Sequence, residues 1–147
     1  LTVSEILRIY QGSAKTIQLV NLLKAEEIER IHLSGMAGSQ RSFLASSVYQ
    51  SMRGTHVFVL PDKEIAAYFH NDLESIFVEK DMEYSKRKVL FFPTSYKRPY
   101  EIESADSSNV LLRSEVLSKI NKPGRGLMIV TYPEALAEKV VDKTTVG

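Results

Sequence analysis

The sequence predicts an α/β fold, with a mainly parallel sheet and helices on both of its faces. Three observations predict it. Short apolar runs, HVFVL at His56–Leu60, KVLFF at Lys88–Phe92 and GLMIVTY at Gly126–Tyr132, alternate with segments of helical apolar spacing. That rhythm implies crossover connections, which join parallel strands. Between Ile31 and Ser42 the chain reads IHLSGMAGSQRS: an apolar run, a glycine-rich turn, then a helical start. This is the layout of a P-loop, whose pattern is G-x-x-x-x-G-K-[ST]. The 147 residues are 44% hydrophobic and 25% charged, enough for one packed domain of ordinary size.

Each element has its own signal. Ser13–Glu27 reads as a helix, with Ser13 as N-cap and Ile17, Leu19, Val20 and Leu23 at helical spacing. Arg30–Ser34 reads as the first strand through Ile31 and Leu33, and Gln40–Met52 as a helix ended by Gly54. His56–Leu60 reads as a second strand whose continuous apolar character fits burial on both faces. Pro61-Asp62 opens a helix over Lys63–Phe77, with Ile65, Ala66, Phe69, Leu73 and Phe77 on one face. Lys88–Phe92 is the third strand. A polar stretch, Pro93 to Asn109, separates it from a helix over Val110–Ile120, capped by Ser107 or Ser108. NKPGR at Asn121–Arg125 is a turn by composition, Gly126–Tyr132 the fourth strand, and Pro133–Val141 a final helix with proline at its first position. Ligands of parallel sheets bind beyond the carboxyl ends of the strands. The Gly35–Ser42 loop, Pro61-Asp62 and Pro93–Glu103 would gather there.

The loop departs from the pattern at two positions that carry its chemistry. Gly35 and Ser42 stand where the first glycine and the terminal hydroxyl belong, but the second glycine is Gln40 and the lysine is Arg41. A working loop aims successive backbone N–H groups and a helix N-terminus at phosphate. Gln40 adds a side chain where clearance is needed, and a planar guanidinium does not replace a compact ammonium. Ser42 could hold magnesium only with an acidic partner, which in such enzymes is an Asp at the end of a later strand. No Asp-Glu pair occurs in the chain, and GLMIVTY runs into Pro133 without a carboxylate. Gly35, Gly38, Ser39, Gln40, Arg41 and Ser42 are therefore expected to form a degenerate nucleotide-binding loop, kept as a turn from strand to helix.

Other chemistry is thinly represented. Tyr96, Lys97, Arg98 and Tyr100 interleave aromatic and basic groups, as single-stranded nucleic-acid platforms do, and mark a DNA or protein contact loop. Lys80 and Lys86-Arg87-Lys88 are interspersed with Asp81 and Glu83, which fits a solvated helix-to-strand link. His32, His56 and His70 lack metal-binding spacing, no G-x-S-x-G motif occurs, and cysteine is absent. No catalytic residue and no metal ligand is assigned. The net charge of +1 creates no field demanding nucleic acid. No apolar run approaches the roughly 20 residues of a membrane span, and no secretory signal is visible.

The order of GMAGSQRSFLASSVYQ, VFVLPDKEIAAYFHNDL, VLFFPTSYKRPYE, LLRSEVLSKI and GLMIVTYPEAL resembles the amino-terminal UvrB-homology domain of the bacterial transcription-repair coupling factor (Mfd) family, from Ser13 to Val141. That domain is similar to the first helicase-like domain of UvrB. Gln40-Arg41-Ser42 stands where UvrB has Gly-Lys-Thr, and Thr94–Asn109 is too short for UvrB's tyrosine-rich hairpin. The resemblance implies a three-layer RecA-like P-loop fold and one degenerate helicase-like domain over residues 1–147, a fragment of a larger multidomain chain. The start at Leu1 and the stop at Gly147 straight after a helix-like segment agree with that expectation.

The parent would be a cytoplasmic, ATP-driven DNA translocase that releases stalled RNA polymerase and recruits UvrA for nucleotide-excision repair. ATP and Mg2+ would serve its motor, which lies elsewhere in the chain. The present domain would need no cofactor, would support UvrA recruitment and would restrain the motor domains. The alternative is an active or ATP-binding half of a UvrB-like damaged-DNA-binding protein, with its acidic residue beyond Gly147. A DNA-binding module using Tyr96–Tyr100 is a third reading.

Overall fold

Three of the four apolar runs, rich in β-branched and aromatic residues, pair as strands. The computed structural model describes residues 1–27, 30–96, 106–122, 124 and 126–140. Strands β1 (His56–Val59), β2 (Val89–Phe91) and β3 (Met128–Thr131) form a parallel sheet in the order β1-β3-β2. Met128 lies opposite both His56 and Val89, which puts β3 at the centre. All four β3 residues are buried. Alternate strand residues point to opposite faces, so both faces are covered there.

The helices are α1 (Val3–Gly12), α2 (Ala14–Lys24), α3 (Gln40–Ser51), α4 (Lys63–Ile76), α5 (Ser107–Ile120) and α6 (Pro133–Ala137). Helix α4 packs on β2 and β3, and α5 on β2. Ala66, Phe69 and Leu73 of α4 enter one core with Val89, Leu90, Ile129, Val130 and Val116. Helices α1 and α2 pack on α3, where Leu19, Val20 and Val48 form a second, smaller cluster. The chain is thus a mixed α/β protein whose crossovers place helices against a small parallel sheet. Among the described residues no helix is long and apolar enough to cross a membrane.

Four expectations are corrected. Arg30–Ser34 pairs with no strand among the described residues. Ile31 instead finds apolar cover in the α2–α3 cluster, while Leu33 stays exposed. Strand β1 is not buried on both faces, because it lies at the sheet edge and Val57 and Val59 remain 53% and 52% exposed. The buried stripe of α2 is Thr16, Leu19 and Val20, leaving Ile17 and Leu23 in solvent. Helix α5 begins at Ser107 and is capped by Asp106, whose carboxylate accepts from the N–H groups of Ser108 and Asn109 at 3.0 and 3.1 Å.

Helix α1 was not anticipated. Its signal is local: Thr2 Oγ1 accepts from Glu5 N–H at 3.2 Å and Glu5 Oε2 from Thr2 N–H at 2.7 Å, a reciprocal capping box. The expected final helix is seen as Pro133–Ala137, and Val141 lies outside the described residues.

The two edges of the sheet are finished differently. On β2, the side away from β3 meets the buried Glu79, whose carboxylate accepts from Lys88 N–H at 2.9 and 3.1 Å and from Val89 N–H at 2.9 Å. Lys119, also buried, holds the adjoining turn to α5 by donating to the carbonyls of Tyr84 and Arg87, each at 2.9 Å. Strand β1 has no such cover among the described residues.

Candidate functional site

The Gly35–Ser42 loop enters α3, as expected, but it does not leave a sheet strand. Gly35 and Gly38 have φ of +78° and +54°, a region that favours glycine for lack of a Cβ. A Cβ at either would meet nothing within 4 Å, so conformation and not clearance requires them. Ser39 is the N-cap of α3 and makes no side-chain capping bond.

The two unusual positions have direct structural consequences. Gln40 Oε1 accepts a hydrogen bond from Ala37 N–H at 3.0 Å. The side chain standing where the motif needs glycine therefore takes one of the loop donors that a phosphate would use. Arg41 is exposed and lines a groove with Met36 and Leu60, near the carboxyl end of β1. Ser42 is buried, and its hydroxyl donates to Asp72 Oδ2 on α4 at 3.1 Å. An acidic partner for Ser42 is thus present, supplied by a helix and not by a strand end. Among the described residues no group of three or more His, Cys, Asp or Glu gathers to hold a metal. Gln40 thus occupies one backbone donor of the loop, and the Ser42 hydroxyl has a carboxylate beside it.

Beyond the carboxyl ends of β2 and β3 the chain closes on itself. Tyr132 is buried, and its hydroxyl accepts from Thr94 N–H at 2.9 Å. Arg113, 6% exposed, reaches from α5 over the ring of Phe92, 4.2 Å from its centroid. Its guanidinium donates to the carbonyls of Pro93 at 2.8 Å, Ala135 at 3.0 Å and Glu138 at 3.4 Å. Glu138 Oε2 accepts from Ser95 N–H at 2.9 Å and lies 3.7 Å from Arg113. The position where parallel sheets hold ligands is filled here by a clasp of the protein's own groups.

The clasp has a pH signature. Burial pushes the Glu138 carboxyl up, but the Ser95 hydrogen bonds and the Arg113 charge outweigh it and hold the pKa below the ordinary 4.5. A group depressed in the folded state stabilises fully above its unfolded pKa, and the contribution is lost as pH falls through the folded value. Urea midpoints measured downward from about pH 5 are expected to fall less steeply in Glu138→Gln than in the parent chain.

Of the second candidate set, Tyr96 is half-buried and its carbonyl accepts from Thr94 Oγ1 at 2.7 Å. Lys97, Arg98 and Tyr100 lie outside the described residues. In the basic run, Lys86 pairs with Glu83 at the surface, at 3.2 Å. Arg87 ties the link to Glu74 of α4 at 3.3 Å, so the run is partly structural. His32 is exposed, and His56 packs edge-on to Tyr49. Sequence reasoning missed Asp72, Glu79, Arg113 and Glu138. Each is an ordinary surface-type residue by sequence, recognisable only by what the fold brings to it.

No family model, no curated protein and no solved structure matches this chain.

Proposed function

We propose that the chain is a non-catalytic RecA-like domain of the transcription-repair coupling kind, serving as an interaction and regulatory scaffold in a larger cytoplasmic DNA translocase. The observation that carries the non-catalytic reading is the occupied loop donor: Gln40, standing where the motif has glycine, takes the Ala37 N–H. The alternation of parallel strands and helices supports the RecA-like reading. The order of sequence segments described above supports the coupling-factor reading. In this proposal UvrA, RNA polymerase and DNA are partners of the whole protein, and ATP with Mg2+ serves a motor elsewhere in it.

Calorimetric titration of the chain with ATP and magnesium tests the inert loop. No saturable heat is expected at micromolar ATP, and none on Arg41→Ala. Saturable binding, or turnover abolished by Arg41→Ala, would establish the ATP-binding alternative instead. The Ser42–Asp72 pair is the one feature favouring that second reading, since a hydroxyl beside a carboxylate is how such loops hold magnesium. It predicts binding that requires magnesium and is lost in Asp72→Asn.

A further inference from the structure

Among the described residues, strand β1 presents an uncovered edge. His56 N–H and Leu60 N–H donate to Leu127 and Thr131 carbonyls, so the even-numbered residues face β3. The N–H and C=O groups of Val57 and Val59 therefore point away from the sheet, with no partner among the described residues. Open edges are a liability that proteins block with charge, bulges or cover. The opposite edge is blocked in this way by Glu79. The segment His56–Val59 carries no charge, and β1 has no comparable device among the described residues.

Along that edge runs an apolar groove of about 480 Å³. Its lining includes Val57 and Val59 from one face of β1 and Phe58 from the other, so it follows the strand's edge and does not lie over a single face. Ile31, Leu33 and Met36 form part of its remaining wall. Among the described residues the charged members of the lining are Arg30 and Arg41, neither has an ion-pair partner, and no carboxylate lines the groove.

We infer that this edge takes up one extended β-strand from another polypeptide segment, apolar at alternate positions and carrying carboxylates at its ends. The unpaired backbone groups supply the hydrogen bonds, the groove receives the apolar residues, and Arg30 and Arg41 receive the carboxylates. A second copy of this domain is a poorer occupant. Its own groove carries the same Arg30 and Arg41 and no carboxylate among the described residues, so two copies would set like charges against each other.

The probe is an acetylated, amidated peptide of sequence EVTVTVE, with KVTVTVK as control, followed by amide exchange in NMR spectra of the 147-residue chain. EVTVTVE is expected to slow exchange at Val57 and Val59 and to shift Ile31 and Leu33, with KVTVTVK weaker. Val59→Lys should abolish the effect, the Ile129 amide reporting that the sheet remains folded. Arg41→Glu, on an exposed position, should weaken EVTVTVE about fivefold or more and favour KVTVTVK. Unchanged Val57 and Val59 exchange at about 1 mM EVTVTVE, a range set by ordinary weak peptide affinities, overturns the inference. So does protection that rises with protein concentration alone, which would assign the edge to a second copy.

Discussion

Arg113→Ala is expected to lower the unfolding free energy by about 3 kcal/mol, the order found when one partner of a buried charged network is removed. The change strands the carbonyls of Pro93 and Ala135, both bonded in buried surroundings, and empties the space over the Phe92 ring. In a chain of this size the midpoint temperature should fall by about 10 °C. Arg113→Lys is the informative companion. An ammonium keeps the charge but lacks the planar fork, so it cannot bond two carbonyls while stacking on the ring. It should recover less than half of the lost stability in urea unfolding. Recovery to the parent value would show that charge alone, and not the forked geometry, holds the carboxyl ends of β2 and β3 together.

The second large effect is expected at Glu79. Its two oxygens terminate the outer edge of β2 by accepting from Lys88 and Val89. Glu79→Gln keeps one acceptor, which can still serve Val89, but sets a buried amide N–H₂ against the Lys88 N–H, donor against donor. A loss of about 2 kcal/mol follows from the ordinary cost of such a group. Glu79→Ala should cost about 3 kcal/mol, because both bonds go and a cavity forms. Urea unfolding gives the magnitudes, and faster exchange of the Val89 amide locates the damage. If the Val89 amide stays protected in both variants, the edge is held by something other than this carboxylate.

What was legible in the sequence was whatever local chemistry decides. Ser13 and Asp62 cap α2 and α4 by accepting from N–H groups three residues on, so those helix starts could be read directly. Pro133 opens α6 for the same local reason. The glycine-rich turn into α3 was also readable, since Gly35 and Gly38 adopt positive φ, which glycine permits for lack of a Cβ. The Thr2–Glu5 capping box was equally local, and α1 could have been found from it.

The misreadings share one cause. Ile31 and Leu33 have strand-like spacing, yet a strand exists only when another strand offers an edge. HVFVL has the composition of a central strand but sits at an edge with one face open. Neither partner nor cover is written in a local window. The candidate site divides in the same way. That the loop lacks the lysine and second glycine of the P-loop pattern was visible in the sequence, whereas the contacts of Gln40 and Ser42 were not. One turns back on Ala37 within its own turn, and the other meets Asp72, thirty residues away on α4.

By itself, then, the sequence determined where most helices start, where the chain turns into α3, and which residues of the P-loop pattern the loop lacks, because those follow from side chains acting on their own backbone neighbours. Tertiary structure alone decided which apolar runs became strands, which sheet edge Glu79 closes and which stays open, and that Arg113 seals the carboxyl ends of β2 and β3. The physical reason is that pairing, burial and charge satisfaction belong to contacts between distant segments, whose outcome depends on every competing partner in the fold.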